Sequence, residues 1–255
     1  MSAPTADAAV LAERDGPVTR LVINRPHRNN SLTAADVALL RDALECAAAD
    51  PRTRAVVLEG SGGSLCTGMD LAELSAADDG DAGGEFFDLL HRLTEIPVTV
   101  VAAVDGRAVG GGVGLAAACD LVLATERSTF SLPEALWGLL PCNILPFLMR
   151  RVGFQRAYAM TLSTAPVTAP DARLFGLVDE VEGPHGQQLR RLLGRVTKLD
   201  RPTVAEAKAY CASMSPIPDT ARAHAGEVFA RLLASPVVRT RIGNYVHHQR
   251  MPWEG

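Results

Sequence analysis

Three consecutive glycines, Gly110, Gly111 and Gly112, stand between an apolar strand-like segment (97–104) and an apolar helix-like one (110–118). Glycine lets a backbone approach a ligand closely and adopt unusual φ, and a helix starting there turns its positive end toward negative charge. Amides held in that way can form an oxyanion hole. A tight turn between a buried strand and a buried helix is the competing reading of the triplet alone.

Other groups capable of chemistry are sparse. The loop carrying Arg25, His27 and Arg28 reads either as a solvated turn or as a contact for phosphate. Five cysteines (46, 66, 119, 142, 211) form no CxxC pair and have no His-rich spacing. That argues against a disulfide framework or a zinc site and predicts thiols, mostly buried. Neither these thiols nor Ser131 has an evident His and acidic partner, which disfavours nucleophilic catalysis. His247-His248 reads as a polar helix surface, and no metal is expected.

Composition sets the outer bounds. The chain has 255 residues, 47% hydrophobic and 21% charged, with a formal charge of −4. That suffices for one sizeable core and does not suit nonspecific nucleic-acid binding. The apolar run 98–124 approaches bilayer length, but Asp105, Arg107 and Asp120 interrupt it, so no membrane span is expected. Residues 1–12 lack the basic and apolar regions of a secretory leader, which predicts a cytoplasmic location.

The elements that must position these groups alternate. Residues 18–23 read as a strand closed by Asn24-Arg-Pro26, and Ser31 or Thr33 caps a helix running to about Asp50. Residues 55–58 form a short buried strand, 59–63 a turn, and 65–70 a loop entering a helix near Leu71. Residues 75–85 are the candidate mobile surface loop, lid or linker, before a helix over 86–93. The strand 97–104, the helix 110–118 and a β-like run 121–124 continue the alternation of a layered α/β fold. Residues 130–138 read as a loop, 145–152, 155–162 and 169–175 as short helices, and 178–181 as a last strand. Beyond 186 the pattern is helical, clearest over 204–212 and 220–233. No internal repeat is evident.

In this order the sequence resembles the crotonase (enoyl-CoA hydratase/isomerase) superfamily. The resemblance rests on Ile23-Asn-Arg-Pro26 with Asn30-Ser-Leu32, Cys66-Thr-Gly-Met-Asp70, Val104-Asp-Gly-Arg-Ala-Val-Gly-Gly-Gly112 with Cys119-Asp120, and Leu132-Pro-Glu-Ala-Leu-Trp-Gly138 with Leu140-Pro141. It covers roughly residues 16–182 and is expected to extend to the C-terminus. It implies a crotonase-like α/β spiral of ββα units over 1–190, followed by a C-terminal helical trimerisation region over 191–255. Homotrimers or hexamers acting on acyl thioesters are then expected.

The resemblance also assigns roles. The thioester carbonyl would lie between the amides of Met69, after Gly68, and Gly111, after Gly110, to stabilise an enolate oxygen. Glu134 would be the general base, because a partly buried carboxylate with a raised pKa suits removal of a C2 proton. Hydratases of the family carry a second glutamate where this chain has Gly114. Its absence is expected to free volume beside C3 and to remove a charge that would repel an anionic acyl group. Cys142 and Asn143, which follow Pro141, read either as lining of the acyl pocket, with Asn143 a hydrogen-bond donor to a C3 hydroxyl or carboxylate, or as a buried filler and a residue that stabilises its own turn. Arg25, His27 and Arg28 would sit where the family receives the pantetheine and nucleotide end of its thioester.

Residues 65–70, 110–115 and 131–141, with the apolar 144–148 after them, are similar to the crotonase-type dehydratases of polyketide β-branching cassettes. That implies a hydro-lyase converting a 3-hydroxy-3-methylglutaryl group on an acyl carrier protein to 3-methylglutaconyl. No cofactor is expected beyond the coenzyme A or phosphopantetheine thioester itself. The alternatives are a decarboxylase, an enoyl isomerase or hydratase acting on an acyl-CoA, and a noncatalytic trimeric binding protein. A Rossmann dehydrogenase is disfavoured, since residues 106–112 lack the GxGxxG register.

Overall fold

The computed structural model describes residues 8–76, 83–183 and 186–254. An antiparallel pair, β1 (Val10–Asp15) and β2 (Val18–Ile23), opens the chain. A 3-10 turn at Pro26–Arg28 leads to α1 (Ala34–Ala49). Thr33 caps α1 reciprocally: its Oγ1 accepts the Asp36 amide at 3.2 Å, while the Asp36 carboxylate accepts the Thr33 amide at 2.8 Å. Next come β3 (Ala55–Gly60), β4 (Ser64–Cys66), α2 (Leu71–Ala76) and α3 (Gly84–Glu95). The central turn of the spiral is β5 (Thr99–Val104), β6 (Arg107–Val109) and α4 (Gly111–Ala118). It is followed by β7 (Leu121–Thr125), β8 (Thr129–Ser131) and the single-turn α5 (Glu134–Trp137).

Strand pairs alternate between two sheets. The larger sheet runs β1-β2-β3-β5-β7-β10, and the smaller runs β4-β6-β8-β9. Within the smaller sheet β4, β6 and β8 are parallel neighbours. Three parallel strands in contact end at the same edge, so the loops that follow them meet there although more than 60 residues separate the first from the last. This edge carries residues 67–69, 110–111 and 133–134.

The remainder is mostly helical: α6 (Leu145–Val152), α7 (Phe154–Ser163), β9 (Val167–Thr168), α8 (Ala169–Leu174), β10 (Glu180–Glu182), α9 (Gln187–Val196), α10 (Arg201–Met214), α11 (Ala221–Leu233) and α12 (Pro236–His248). Pro146 occupies the first turn of α6, where its missing N–H breaks no helical bond. The core lies between the larger sheet and the helices, with Phe130, Phe147, Leu89, Leu90 and Leu115 fully buried. Phe87 meets Phe147 edge to face at 5.1 Å. A smaller cluster joins α11 and α12 to Leu74, Leu139 and Met69, so these helices cover the loop edge of their own chain.

The run 98–124 is broken into β5, β6, α4 and β7, and among the described residues no helix is long and apolar enough to cross a membrane. Several other readings are revised. β1 escapes the sequence reading because its outer half is exposed and polar. β4, β6 and β8 are too short, at three residues each, to show an alternating pattern. Residues 130–138 are not simply a loop, since they include the end of β8 and all of α5. Most of the candidate mobile segment 75–85 lies outside the described residues. Of the cysteines only Cys66 and Cys119 are buried, while Cys46 and Cys211 are exposed and Cys142 is intermediate.

Candidate active site

The loop after β4 presents Met69 through a single parallel bridge to Leu32. Leu32 donates to the Gly68 carbonyl at 2.9 Å and accepts the Asp70 amide at 2.9 Å. A strand residue flanked by two such bonds directs its own N–H to the opposite side. The Met69 amide therefore faces away from Leu32, toward the loop after β6. There Gly110, at φ +54, donates its own N–H to Ser131 O at 2.9 Å, which leaves Gly111 as the first amide of α4. A first-turn amide has no acceptor within its helix.

The two loops touch. A Cβ on Gly68 would stand 3.4 Å from the Gly111 nitrogen, and a Cβ on Gly111 would stand 3.3 Å from the Gly68 Cα and 3.1 Å from the Phe86 ring. The glycines make room for two backbone donors side by side under an aromatic cover. The loop after β8 then brings Glu134 to the same place. Its Oε1 lies 2.9 Å from where a Cβ on Gly110 would be. Its Oε2 is buried without a hydrogen-bond partner among the described residues. Burial penalises the carboxylate and pushes its pKa up from 4.5 to about 7, with its own backbone amide opposing the rise.

These residues line one cavity of about 130 Å³ with Met69, Gly68, Trp137, Cys142, Asn143, Ile144 and Phe229. Of the expected site residues, Glu134, Met69, Gly68, Gly110, Gly111, Cys142 and Asn143 are brought together. Burial lifts the Cys142 thiol to about 11, so it is a neutral wall group rather than a nucleophile. Sequence reasoning passed over Phe86, Trp137 and Phe229, because apolar residues on three separate elements give no sign that they share a wall.

Gly114 corrects its expectation. It does not line the cavity, and the volume beside it is not free. A Cβ there would meet Ile144 Cγ1 at 3.0 Å and Leu90 Cδ1 at 3.2 Å. Ile144 fills the space, and its own side chain lines the cavity. The missing carboxylate is thus replaced by apolar packing, and among the described residues that line the cavity no other charged group stands with Glu134.

Arg25 is also corrected. Its guanidinium bonds to Ser31 O at 2.5 Å and pairs with the buried Asp36 carboxylate at 2.7 Å. It is used up in holding the 25–36 segment that carries Leu32. Arg25→Ala should therefore cost about 3 kcal/mol of stability by leaving the buried Asp36 carboxylate without its counter-charge, held by Thr33 alone, with little change in thioester affinity for the folded fraction. Denaturant unfolding alongside substrate titration checks this. His27 and Arg28 are exposed and do not line the cavity. Their turn is tied to its rim, where Thr67 Oγ1 donates to Asn29 O at 3.0 Å.

The enoyl-CoA hydratase/isomerase family pattern matches residues 13–255. The chain belongs to this family. Over 242 residues it is 30% identical to the bacillaene synthase dehydratase PksH of Bacillus subtilis, covering 93% of each chain. It superposes on the solved structure of B. subtilis PksH with a TM-score of 0.91 at 28% identity, covering 96% of this chain and 99% of that one. An enoyl-CoA hydratase from Mycobacterium avium gives 0.86 at 29% identity, over 96% and 98% of the respective chains. The fold is therefore the crotonase-like α/β spiral, and the protein is an enzyme of the hydratase/dehydratase type acting on thioesters.

Proposed function

We propose that this enzyme removes water from a 3-hydroxy-3-methylglutaryl group on an acyl carrier protein, giving the 3-methylglutaconyl thioester for polyketide β-branching in the cytoplasm. The observation that carries the proposal is the buried carboxylate of Glu134, the one carboxylate on the cavity wall among the described residues, beside two convergent amides, with Ile144 packed where a second carboxylate would stand. Hydration and dehydration share one transition state, so the site fixes which groups act: with an apolar wall where a second carboxylate would stand, Glu134 must move both the C2 proton and the proton of the departing hydroxyl.

In this reading the thioester oxygen receives the Met69 and Gly111 amides. Ionised Glu134 takes the C2 proton, and the C2–H electron pair moves into an enolate stabilised by those donors. The enolate then expels the C3 oxygen. Glu134 returns that proton to the departing oxygen, directly or relayed through a water, so the oxygen leaves as water and the carboxylate is restored. The likeness to PksH, named a dehydratase of bacillaene synthase, supports the same assignment.

A homotrimer or hexamer belongs to this reading. The exposed Phe154, Tyr158 and Leu162 on one face of α7 form an apolar stripe of the kind that assembly covers. In this reading the exposed His27 and Arg28 meet the carrier's phosphate, on a turn that Thr67 and Asn29 tie to the cavity rim.

Mass spectrometry of 3-hydroxy-3-methylglutaryl carrier protein after incubation tests the proposal. Loss of one water is expected. Loss of carbon dioxide would indicate a decarboxylase, and a shifted double bond at constant mass in an enoyl substrate would indicate an isomerase. Binding without turnover would indicate a noncatalytic protein. The same acyl group on coenzyme A measures the preference between carriers.

A further inference from the structure

Asn143 is only 6% exposed, yet its Oδ1 has no hydrogen-bond partner among the described residues. A buried acceptor left unsatisfied is costly and uncommon in a folded protein. The other end of the amide is wedged. Nδ2 lies against Gly83, at the start of α3, well inside the distance that a Cβ there would tolerate. Gly83 has φ +99, so this notch depends on glycine. With the nitrogen held in the notch, the oxygen is the end of the amide left to serve the cavity that Asn143 lines.

The remaining polar groups of that cavity narrow the choice. Thr67 is committed to Asn29, and Cys142 is a protonated thiol. Glu134 Oε2 and Asn143 Oδ1 are the two buried, unpartnered side-chain oxygens on its wall among the described residues. One is titratable and the other is a neutral acceptor. A hydroxyl donates one hydrogen bond and accepts through its lone pairs, so it can satisfy both.

We infer that Asn143 Oδ1 accepts the hydrogen bond of the substrate's C3 hydroxyl and so aims that oxygen's lone pairs at the Glu134 carboxyl. This rests on the dehydration reading and revises the donor role expected from sequence. The step stays balanced: Glu134 carries the proton from C2 to the departing oxygen, and Asn143 neither gains nor loses one. An amide suits the position because a second carboxylate would raise the Glu134 pKa further by like-charge repulsion.

Two assays on the same carrier protein test this. The first is dehydration of the 3-hydroxy-3-methylglutaryl form. The second is C2 deuterium uptake into the butyryl form, which has no C3 hydroxyl and reports enolisation alone. Asn143→Ala should lower dehydration by ~10²-fold while deuterium uptake falls less than about tenfold. Asn143→Asp retains an acceptor; it should recover part of the dehydration and move its pH profile upward. Parallel loss in both assays, or no loss in either, overturns the inference. A wild type that takes up deuterium but dehydrates no 3-hydroxyacyl carrier overturns the dehydration reading and this inference with it. Failure of the inference alone looks different: the wild type dehydrates, and Asn143→Ala dehydrates equally well.

Discussion

Glu134→Gln is expected to lower turnover by ~10³-fold or more, the scale of removing a positioned general base, while leaving the fold intact. The same substitution should also alter stability, in a pH-dependent way. The Glu134 carboxyl titrates at about 7 in the folded protein against 4.5 in a free chain. Between those values the folded state holds a proton that the unfolded state has released. Stability must therefore fall as pH rises from about 4.5 to about 7, and the loss persists above. A displacement of this size corresponds to roughly 3 kcal/mol. Glutamine has no such term, so the variant should gain stability relative to the wild type at pH 8 and not at pH 4. Denaturant unfolding at the two pH values checks the stability claim. The rate claim has its own signature: wild-type kcat/KM should rise with pH and level off above about 7, because the base must be ionised. A break near 4.5 would show that burial does not control this carboxylate.

Gly112→Ala should be the most damaging single methyl group near the site. A Cβ there would penetrate the Cys66 carbonyl oxygen and stand 3.3 Å from the Cys66 side chain. Both neighbours are held in the small sheet, so α4 must move away from β4. Overpacking against backbone costs about 3 kcal/mol or more. That motion also separates the Gly111 amide from the Met69 amide, and misplacing donors by about 1 Å is worth ~10²-fold in rate. The surviving folded fraction should therefore turn over far more slowly than its abundance explains. Gly194→Ala is the control. Nothing lies within 4 Å of its added methyl in α9, and it should stabilise by about 0.5–1 kcal/mol. Thermal unfolding and active-site-normalised rates separate the two effects.

Much of the site was legible because its parts are local. Gly110 to Gly112 signal a helix opening at a close approach, and Thr33 with Asp36 signals a helix start. A strand-closing Asn24-Arg-Pro26 needs no distant partner to be read. The failures share a physical cause. Arg25 reads as a free cation until its partners are known, and Asp36 becomes its partner only when the 25–36 segment folds back on α1. Gly114 reads as an empty place until the chain thirty residues later brings Ile144 against it. β4, β6 and β8 are three residues long, and pairing with one another, not propensity, makes them strands.

The sequence by itself determined the family, the alternation of strands and helices, the glycines that admit two amides, and the presence of a single candidate base. These depend on residue type and short spacing. The tertiary structure decided what those residues do together. Three short parallel strands place the loops of Met69, Gly111 and Glu134 on one edge, and burial raises the Glu134 pKa. Ile144 closes the space at Gly114, and the Gly83 notch leaves Asn143 Oδ1 without a partner. Each of these is a property of distance and desolvation between residues far apart in the chain, which no local pattern encodes.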